Sequence, residues 1–573
     1  MKKKHFLIGG CIFLICLLLS IGPALSEKQE REIIIVGQEN QIYDIDAKEL
    51  VFPFTVMAFG KGASVGRITD FSIEGYDLLS NIKDPKIIPI HQLDTEVSRS
   101  DFRTWVEVKR RSTSFIEHNI SQQEEVAFEE LNLKMRSVGQ KRKDIRPFEL
   151  IVETSELPFI LEAETYYNIK FVVEVENVVS TWEGTVLIVD IGVLQTNPVW
   201  VPAQLHIHSS YSDGTKTPAQ LASLLVNKGY NIAYITDETN GNDSTSPSIP
   251  ATTKSGATWS TYSTGVRTYS ANIAMFPGSE IAASTLNKQR GEHNGHALAY
   301  GINSFTGSST FETTGLRYRW FLPGDLINNI NNNRSVAHSS IAHPTHTVYP
   351  WNVWGSSLGS TRYHGFELMS GVQTNFGTGA SPMVRWRSEL THKLPGVFSG
   401  LAFPSARTGS DYCGNWYSPD IAYYTFIGLD SPPPWSDLKT LSQSAVDTPL
   451  RKGRTVASRH GGMAAFTMKD SAGNNKQIGD YYSLASKTWV SSTITIKPTV
   501  TAQYRIRVVE NNFASTIFDS TRSLTGGVAN QITFGFTFDS ANTKSNRYYH
   551  LIVEGSVGST EYIYTSPIFI KPI

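Results

Sequence analysis

Cysteine is nearly absent from this chain. There are three in 573 residues, and two of them, Cys11 and Cys16, lie in an apolar N-terminal stretch. Beyond that stretch only Cys413 is left, so no intrachain disulfide can staple the fold. Excess charge is lacking too: 51 Lys and Arg face 52 Asp and Glu, a formal net charge of −1. A nucleic-acid partner would favour a basic surface, so none is expected. The one basic run (Lys134, Arg136, Lys141, Arg142, Lys143) reads as a solvated helix or loop face. Past residue 26 no apolar run has the length of a membrane span.

The start of the chain reads as an export signal. Lys2, Lys3 and Lys4 precede an uncharged apolar stretch from Phe6 to Ile21, and Ala24-Leu25-Ser26 supplies small residues for cleavage near Ser26-Glu27. The stretch also approaches the ~20 residues that span a bilayer, so an uncleaved N-terminal anchor is the alternative. Either way the rest of the chain is expected outside the cytoplasm: secreted, periplasmic or on the cell surface. A membrane would be a partner only through that segment.

The length exceeds the ~250–300 residues of one core, and composition divides it. Residues 27–196 read as a β-rich accessory domain, with strands at 32–36, 51–56, 167–175 and 184–190 and a polar, helical middle at 117–146. Residues 197–470 alternate strand and helix. Val201–His208 is the first strand. Thr217 is an N-cap and Pro218 a first helical residue, Leu221, Leu224 and Leu225 share a face, and Gly229 stops the helix. A second strand follows at Asn231–Thr236, a βαβ unit whose strands should be parallel neighbours. The Ser/Thr/Gly/Pro-rich stretch 239–270 reads as a mobile loop, a candidate lid. Further strands are expected at 273–276, 296–300, 336–342, 365–369 and 422–428, and a helix at 436–452. Residues 471–573 become all-β again, with strands at 489–496, 504–509, 531–538, 548–554 and 559–570, as in a small β-sandwich.

The chemistry concentrates in the middle region. His206-Ile207-His208 places two imidazoles on one face of a strand. Asp213, followed by Gly214, lies where the chain can curl back as an oxygen ligand. Asp237, Glu238, Glu280, His296, His343, Asp411 and Cys413 each lie at or near the end of an apolar run. Such a set suits two or three divalent ions, Zn, Mn or Fe, holding a bridging hydroxide, with Glu280 able to bridge. A thiolate at Cys413 would favour zinc. The candidate catalytic groups are Asp213, Glu280 and Arg407, the last to pair a substrate phosphate or carboxylate. Glu367 ends a strand and can touch the site. His293, His338, His346, His364, His392 and His460 read as structural histidines.

Five segments in order carry a family resemblance. They are His206-Ile-His208-Ser-Ser-Tyr-Ser-Asp213-Gly214 with Thr217-Pro218, then Ile235-Thr236-Asp237, Pro277-Gly-Ser-Glu280 with Gly295-His296, Ile341-Ala-His343-Pro344, and Gly409-Ser-Asp411. Together they resemble the PHP (polymerase and histidinol phosphatase) metallohydrolases, and the β-rich tail is similar to the exported carbaryl-hydrolase-like branch (CehA/McbA). The resemblance implies a central α/β fold, a distorted seven-stranded (β/α) barrel with metals at the strand C-terminal ends. It puts His206, His208, Asp213, Glu280, His296, His343 and Asp411 on ligand positions and makes Asp237 an orienting residue. Two positions depart: Glu238 and Cys413 stand where the family usually has histidine. The implied activity is hydrolysis of a small-molecule phosphoester. The alternatives are a carbamate or amide hydrolase with the same centre, and a catalytically degenerate surface binding protein.

Overall fold

The computed structural model describes residues 33–573 apart from 38–40, 60–64, 82–86, 94–147, 192, 240–251, 254, 268–272, 284–294, 306–322, 347–349, 352, 359–360, 371–381, 413–422, 434–437, 439, 512–514, 540–544 and 558–560. The N-terminal segment, the 117–146 stretch, His293 and Cys413 lie outside the described residues. Among the described residues no helix is long and apolar enough to cross a membrane.

The described residues of the N-terminal third are mostly strands. Their hydrogen-bonded order is Ile33–Gly37, Glu49–Phe59, Ile87–Leu93, Val65–Ile73, Thr165–Val175, Val178–Val189, Gln41–Asp44. Alternation explains the burial: Tyr167, Ile169, Phe171 and Val173 point inward between exposed Tyr166, Asn168 and Lys170. Inside, Phe54 stacks on Phe171 at 4.2 Å and meets the edge of Trp182 at 4.9 Å.

This region seats on the first helix of the middle region, α1 (Pro218–Asn227). Lys228, just past its end, donates from Nζ to the Ile42 carbonyl at 2.6 Å and lies 3.6 Å from the centre of the Tyr43 ring. The helix forms as its sequence dictates. Thr217 and Gln220 make a reciprocal capping box, Leu221, Leu224 and Leu225 are buried, and Gly229 leaves at φ +75°. On either side, β1 (Val199–Gln204) and β2 (Ile232–Ile235) pair in parallel, as a βαβ unit should.

The middle region differs from a closed ring of parallel strands. Among the described residues its strands fall in two mixed sheets. In one, β3 (Ala274–Pro277), β2, β1, β9 (Tyr423–Leu429) and β10 (Thr455–Arg459) lie side by side, with β1–β9 and β9–β10 antiparallel. The other holds β4 (Ser279–Ala282), β5 (His296–Tyr300), β6 (His338–Ile341), β7 (Gly365–Ser370) and β8 (Ser405–Gly409), with β4–β5 and β5–β6 antiparallel. Two isolated bridges, Ile207 to Tyr412 and Glu238 to Glu280, join the sheets. The helices α2 (Trp259–Arg267), α3 (Pro323–Asn332), α4 (Pro382–Val397) and α5 (Gln443–Arg451) complete the region.

Three local expectations change. The first strand ends at Gln204, so His206 and His208 follow it. Past that point the chain is held by Thr236, whose N–H donates to the Ile207 carbonyl at 2.9 Å. Within the stretch expected as a loop, residues 259–267 are helical because tertiary burial overrides a polar composition. Tyr262 and Val266 are buried, and the Tyr262 hydroxyl donates to the carbonyl of Ile235 at 2.5 Å or of Gly278 at 3.0 Å. The late helix starts at Gln443 rather than 436, because Ser442 caps it by accepting from Ala445 N–H at 3.2 Å.

Strands continue through the last hundred residues. From β10 the sheet passes antiparallel into Tyr562–Thr565, Arg547–Val557, Ala502–Glu510 and Ser515–Leu524, so the expected boundary at 470/471 falls among connected strands. The run expected at 559–570 is broken by Ser566-Pro567 into two strands, since proline donates no ladder hydrogen bond. A separate four-stranded sheet has the order Asn475–Gln477, Met463–Asp470, Thr488–Lys497, Asn530–Phe538.

Glu561 lies buried at this junction. It accepts from the Thr499 hydroxyl and the Tyr504 hydroxyl, each at 2.9 Å. Burial nevertheless pushes its carboxyl up to about 7. A raised carboxyl favours the folded state most while neutral. Its contribution is full below the ordinary carboxylate range and is lost as pH rises through about 7. Glu561→Gln is therefore expected to flatten the fall of the thermal midpoint between about pH 5 and pH 8. Identical pH profiles for variant and wild type would refute this account.

Candidate metal centre

Backbone hydrogen bonds stitch the ligand-bearing segments edge to edge. Asp411 N–H donates to His206 O at 2.9 Å, His208 N–H to Tyr412 O at 3.0 Å, Glu280 N–H to Asp237 O at 3.2 Å and Ala342 N–H to His296 O at 3.1 Å. Gln204 ties two of these segments from below: its Oε1 accepts from both His206 N–H and Ser410 N–H at 3.1 Å. Two ligand positions adopt left-handed backbone, His343 at φ 23° and Asp411 at φ 51°. Strain of that kind persists where surrounding structure enforces it, and it clusters at functional sites.

The side chains converge on one carboxylate. Glu280 Oε1 lies 2.7 Å from His296 Nδ1, 3.1 Å from His343 Nε2 and 3.5 Å from His206 Nε2, while Oε2 lies 3.0 Å from His208 Nε2. Asp411 Oδ1 closes the other side, 3.4 Å from His206 Nε2 and 3.7 Å from His208 Nε2. Two groups of potential ligand atoms result, each within 4.8 Å of one another: His206, His208, Glu280 and Asp411; and Glu280, His296 and His343. Glu280 belongs to both.

Opposite charges within the cluster hold one another against burial. Burial disfavours the charged form of His206, but Glu367, Glu280 and Asp411 outweigh it and hold the imidazolium well above its ordinary range. His208 is raised in the same way against burial, by Asp213 and Glu280. Burial would raise Glu280, yet His296 and His206 hold it well below the carboxylate range. At Asp411 burial prevails over His206 and pushes the carboxyl up.

The donor set fits divalent cations. His206 Nδ1 faces Glu367 Oε1 at 3.0 Å, and His208 Nδ1 faces Asp213 Oδ1 at 2.6 Å. Carboxylates accept, so both Nδ1 atoms carry hydrogen, and with a cation bound in place of the second ring proton each Nε2 would offer a lone pair. Those two Nε2 atoms stand only 3.3 Å apart. Both face the Glu280 and Asp411 carboxylates, so a cation bound there would take the place of the ring protons. In addition, His343 Nδ1 is buried with no hydrogen-bond partner.

The candidate residues separate into roles. The structure brings His206, His208, Glu280, His296, His343 and Asp411 together. Asp213 sits outside both ligand groups, on the Nδ1 side of His208, and orients that ring. Asp237 accepts from Ser209 N–H at 2.7 Å and from the Ser209 and Ser212 hydroxyls at 2.5 Å, fixing the loop that carries Asp213. Glu238 pairs through its backbone with Glu280 and is in neither group. Cys413 lies outside the described residues.

Arg407 does not face a substrate. Its side chain is fully buried, its Nη2 donates to Leu450 O at 2.9 Å and His364 O at 3.3 Å, and its Nε donates to Ser405 Oγ at 3.1 Å. The guanidinium lies 5.5 Å from the centre of the Tyr300 ring. A cation held this way fills the interior of the fold.

Glu367 has a larger part than its sequence position suggested. One oxygen holds His206 Nδ1, and the other accepts from His343 N–H at 2.7 Å. Gly409 makes room for this, since a Cβ there would fall 2.1 Å from Glu367 Oε1 and 2.3 Å from the His206 Cβ. Gln204 has no signal in the sequence, because an amide at a strand end carries no motif. His346 stands with its ring 5.0 Å from that of His343, and only its place three residues after a ligand hinted at this.

No protein-family model and no curated protein matches the sequence. Solved structures similar to it include a two-domain protein from Bacteroides vulgatus containing a predicted PHP-like metal-dependent phosphoesterase, at 13% identity and TM-score 0.33, covering 64% of this chain and 95% of that one. Another is an amidohydrolase from Chromobacterium violaceum, at 14% identity and TM-score 0.24, covering 37% of this chain and 87% of that one.

Glu367→Ala is expected to weaken divalent-metal affinity about 10–100-fold, the usual cost of losing a group that orients ligands. Competition against a chromophoric chelator measures it, and unchanged affinity would overturn the role given to Glu367. Arg407→Met is expected to lower the thermal midpoint while leaving bound metal in place, because three acceptors lose their buried donor. Loss of metal without loss of stability would contradict that assignment.

Proposed function

We propose that this chain is a PHP-type metal-dependent hydrolase of the exported carbaryl-hydrolase-like kind, acting on a small-molecule phosphoester. The observation that carries the reading is the carboxylate shared by two histidine-containing groups, Glu280 between His206/His208/Asp411 and His296/His343. Cations held there would lower the pKa of water and polarise the ester oxygen. Zinc, manganese and iron all suit a set of imidazoles and carboxylates.

The chain's own residues supply position and charge. Glu367 and Asp213 lock the tautomers of His206 and His208, so both rings present Nε2 to the centre. Glu280 and Asp411 bring negative charge that balances bound cations. Burial of Glu280, His206 and His208 keeps the local dielectric low, which strengthens these interactions. Export rests on the lysine-flanked apolar segment at the N-terminus.

The test is a substrate panel with variants. The wild-type protein, supplied with Zn, Mn or Fe, is expected to release p-nitrophenol from p-nitrophenyl phosphate or bis(p-nitrophenyl) phosphate. His206→Ala and Glu280→Ala are expected to lower that rate by at least about a hundredfold, more than loss of an orienting group costs, with circular dichroism unchanged. Turnover of p-nitrophenyl carbamates or p-nitroanilides in place of phosphates would move the assignment to the carbamate- or amide-cleaving alternative. No turnover of any phosphate, carbamate or anilide with metal bound would leave a binding protein.

A further inference from the structure

The outer face of the four-stranded sheet carries a feature the metal centre does not use. Along Thr488–Lys497 burial alternates, so Val490, Ser492, Ile494 and Ile496 turn inward and Trp489, Ser491, Thr493 and Thr495 outward. Trp489 is 54% exposed. Its ring lies across Gly535 on the neighbouring strand, where a Cβ would meet indole Cζ2 at 2.1 Å, Cη2 at 2.8 Å and Cε2 at 2.9 Å. The indole occupies that place only because residue 535 has no side chain.

Strand register gives the surroundings. Trp489 pairs with Thr537, Ser491 with Gly535, and Thr493 with Thr533 on one side. On the other side Thr493 pairs with Thr467 and Ser491 with Lys469. A broad aromatic surface is thus ringed by hydroxyls, and Lys469 is the one charged group among these paired positions. An apolar protein partner needs a contiguous apolar area, and one isolated indole does not provide it. A nucleic acid needs several cations. A sugar ring has an apolar C–H face and a rim of hydroxyls, which match an indole set among threonines and serines.

We propose that this face binds a neutral polysaccharide, with one sugar ring stacked on Trp489 and adjacent hydroxyls bonded by Ser491, Thr493, Thr533 and Thr537. The site is separate from the metal centre and does not depend on the hydrolytic reading. Affinity electrophoresis of the full chain tests it, using gels cast with hydroxyethylcellulose, xylan, galactomannan or soluble starch. At least one polymer is expected to retard the protein. Trp489→Ala should raise the dissociation constant at least tenfold, and Gly535→Val, which evicts the ring from its seat, should do the same. Both variants should keep the wild-type thermal midpoint, and His206→Ala should bind like the wild type. Retardation by none of the four polymers, or equal retardation of Trp489→Ala, overturns the proposal. So does a self-association that Trp489→Ala abolishes, since a second copy of the chain would then be the occupant.

Discussion

One buried carboxylate placed among four imidazoles governs the middle of this molecule. Glu280 is 2% exposed and lies within 3.5 Å of ring nitrogens from His206, His208, His296 and His343. Taking a carboxylate out of water is unfavourable unless positive charge meets it. Without a bound cation that charge comes from protons on His206 and His208, which the carboxylates around them hold well above the ordinary imidazole range. A divalent cation would supply the same charge, and the ligand atoms gathered around Glu280 could hold one.

The rest of the architecture serves to hold that convergence. The ligands come from segments spread over about two hundred residues; His206, His208, His343 and Asp411 follow strand ends, Glu280 and His296 lie within strands, and isolated bridges or backbone hydrogen bonds link the segments. Behind them a second set of groups (Gln204, Asp213, Asp237 and Glu367) fixes rings and loops by accepting hydrogen bonds. Gly409 contributes by absence, leaving the volume through which Glu367 reaches His206. Strand-rich regions on both sides extend the core, and among the described residues they supply no ligand to either group.

Much of this was legible in the sequence, for identifiable reasons. Histidines spaced one apart and acids at the ends of apolar runs are local patterns, and the capping of α1 by Thr217 and Gln220 follows from local chemistry. What a one-dimensional pattern cannot carry is direction. The spacing from His208 to Asp213 does not say on which side of the ring the carboxylate arrives. It arrives at Nδ1, which makes Asp213 an orienting group. Arg407 precedes Asp411 closely enough to suggest a substrate contact, yet its side chain is taken up by interior acceptors. The splitting of the strands into two mixed sheets was equally hidden, because parallel and antiparallel neighbours present the same buried runs.

We propose that two cations share Glu280. Elemental analysis of protein purified without chelators measures it most directly. The account predicts close to two transition-metal ions per chain, one for each ligand group, and a drop to one or fewer in Glu280→Ala. Folded wild-type protein that holds no transition metal, even after incubation with Zn, Mn or Fe, would contradict it.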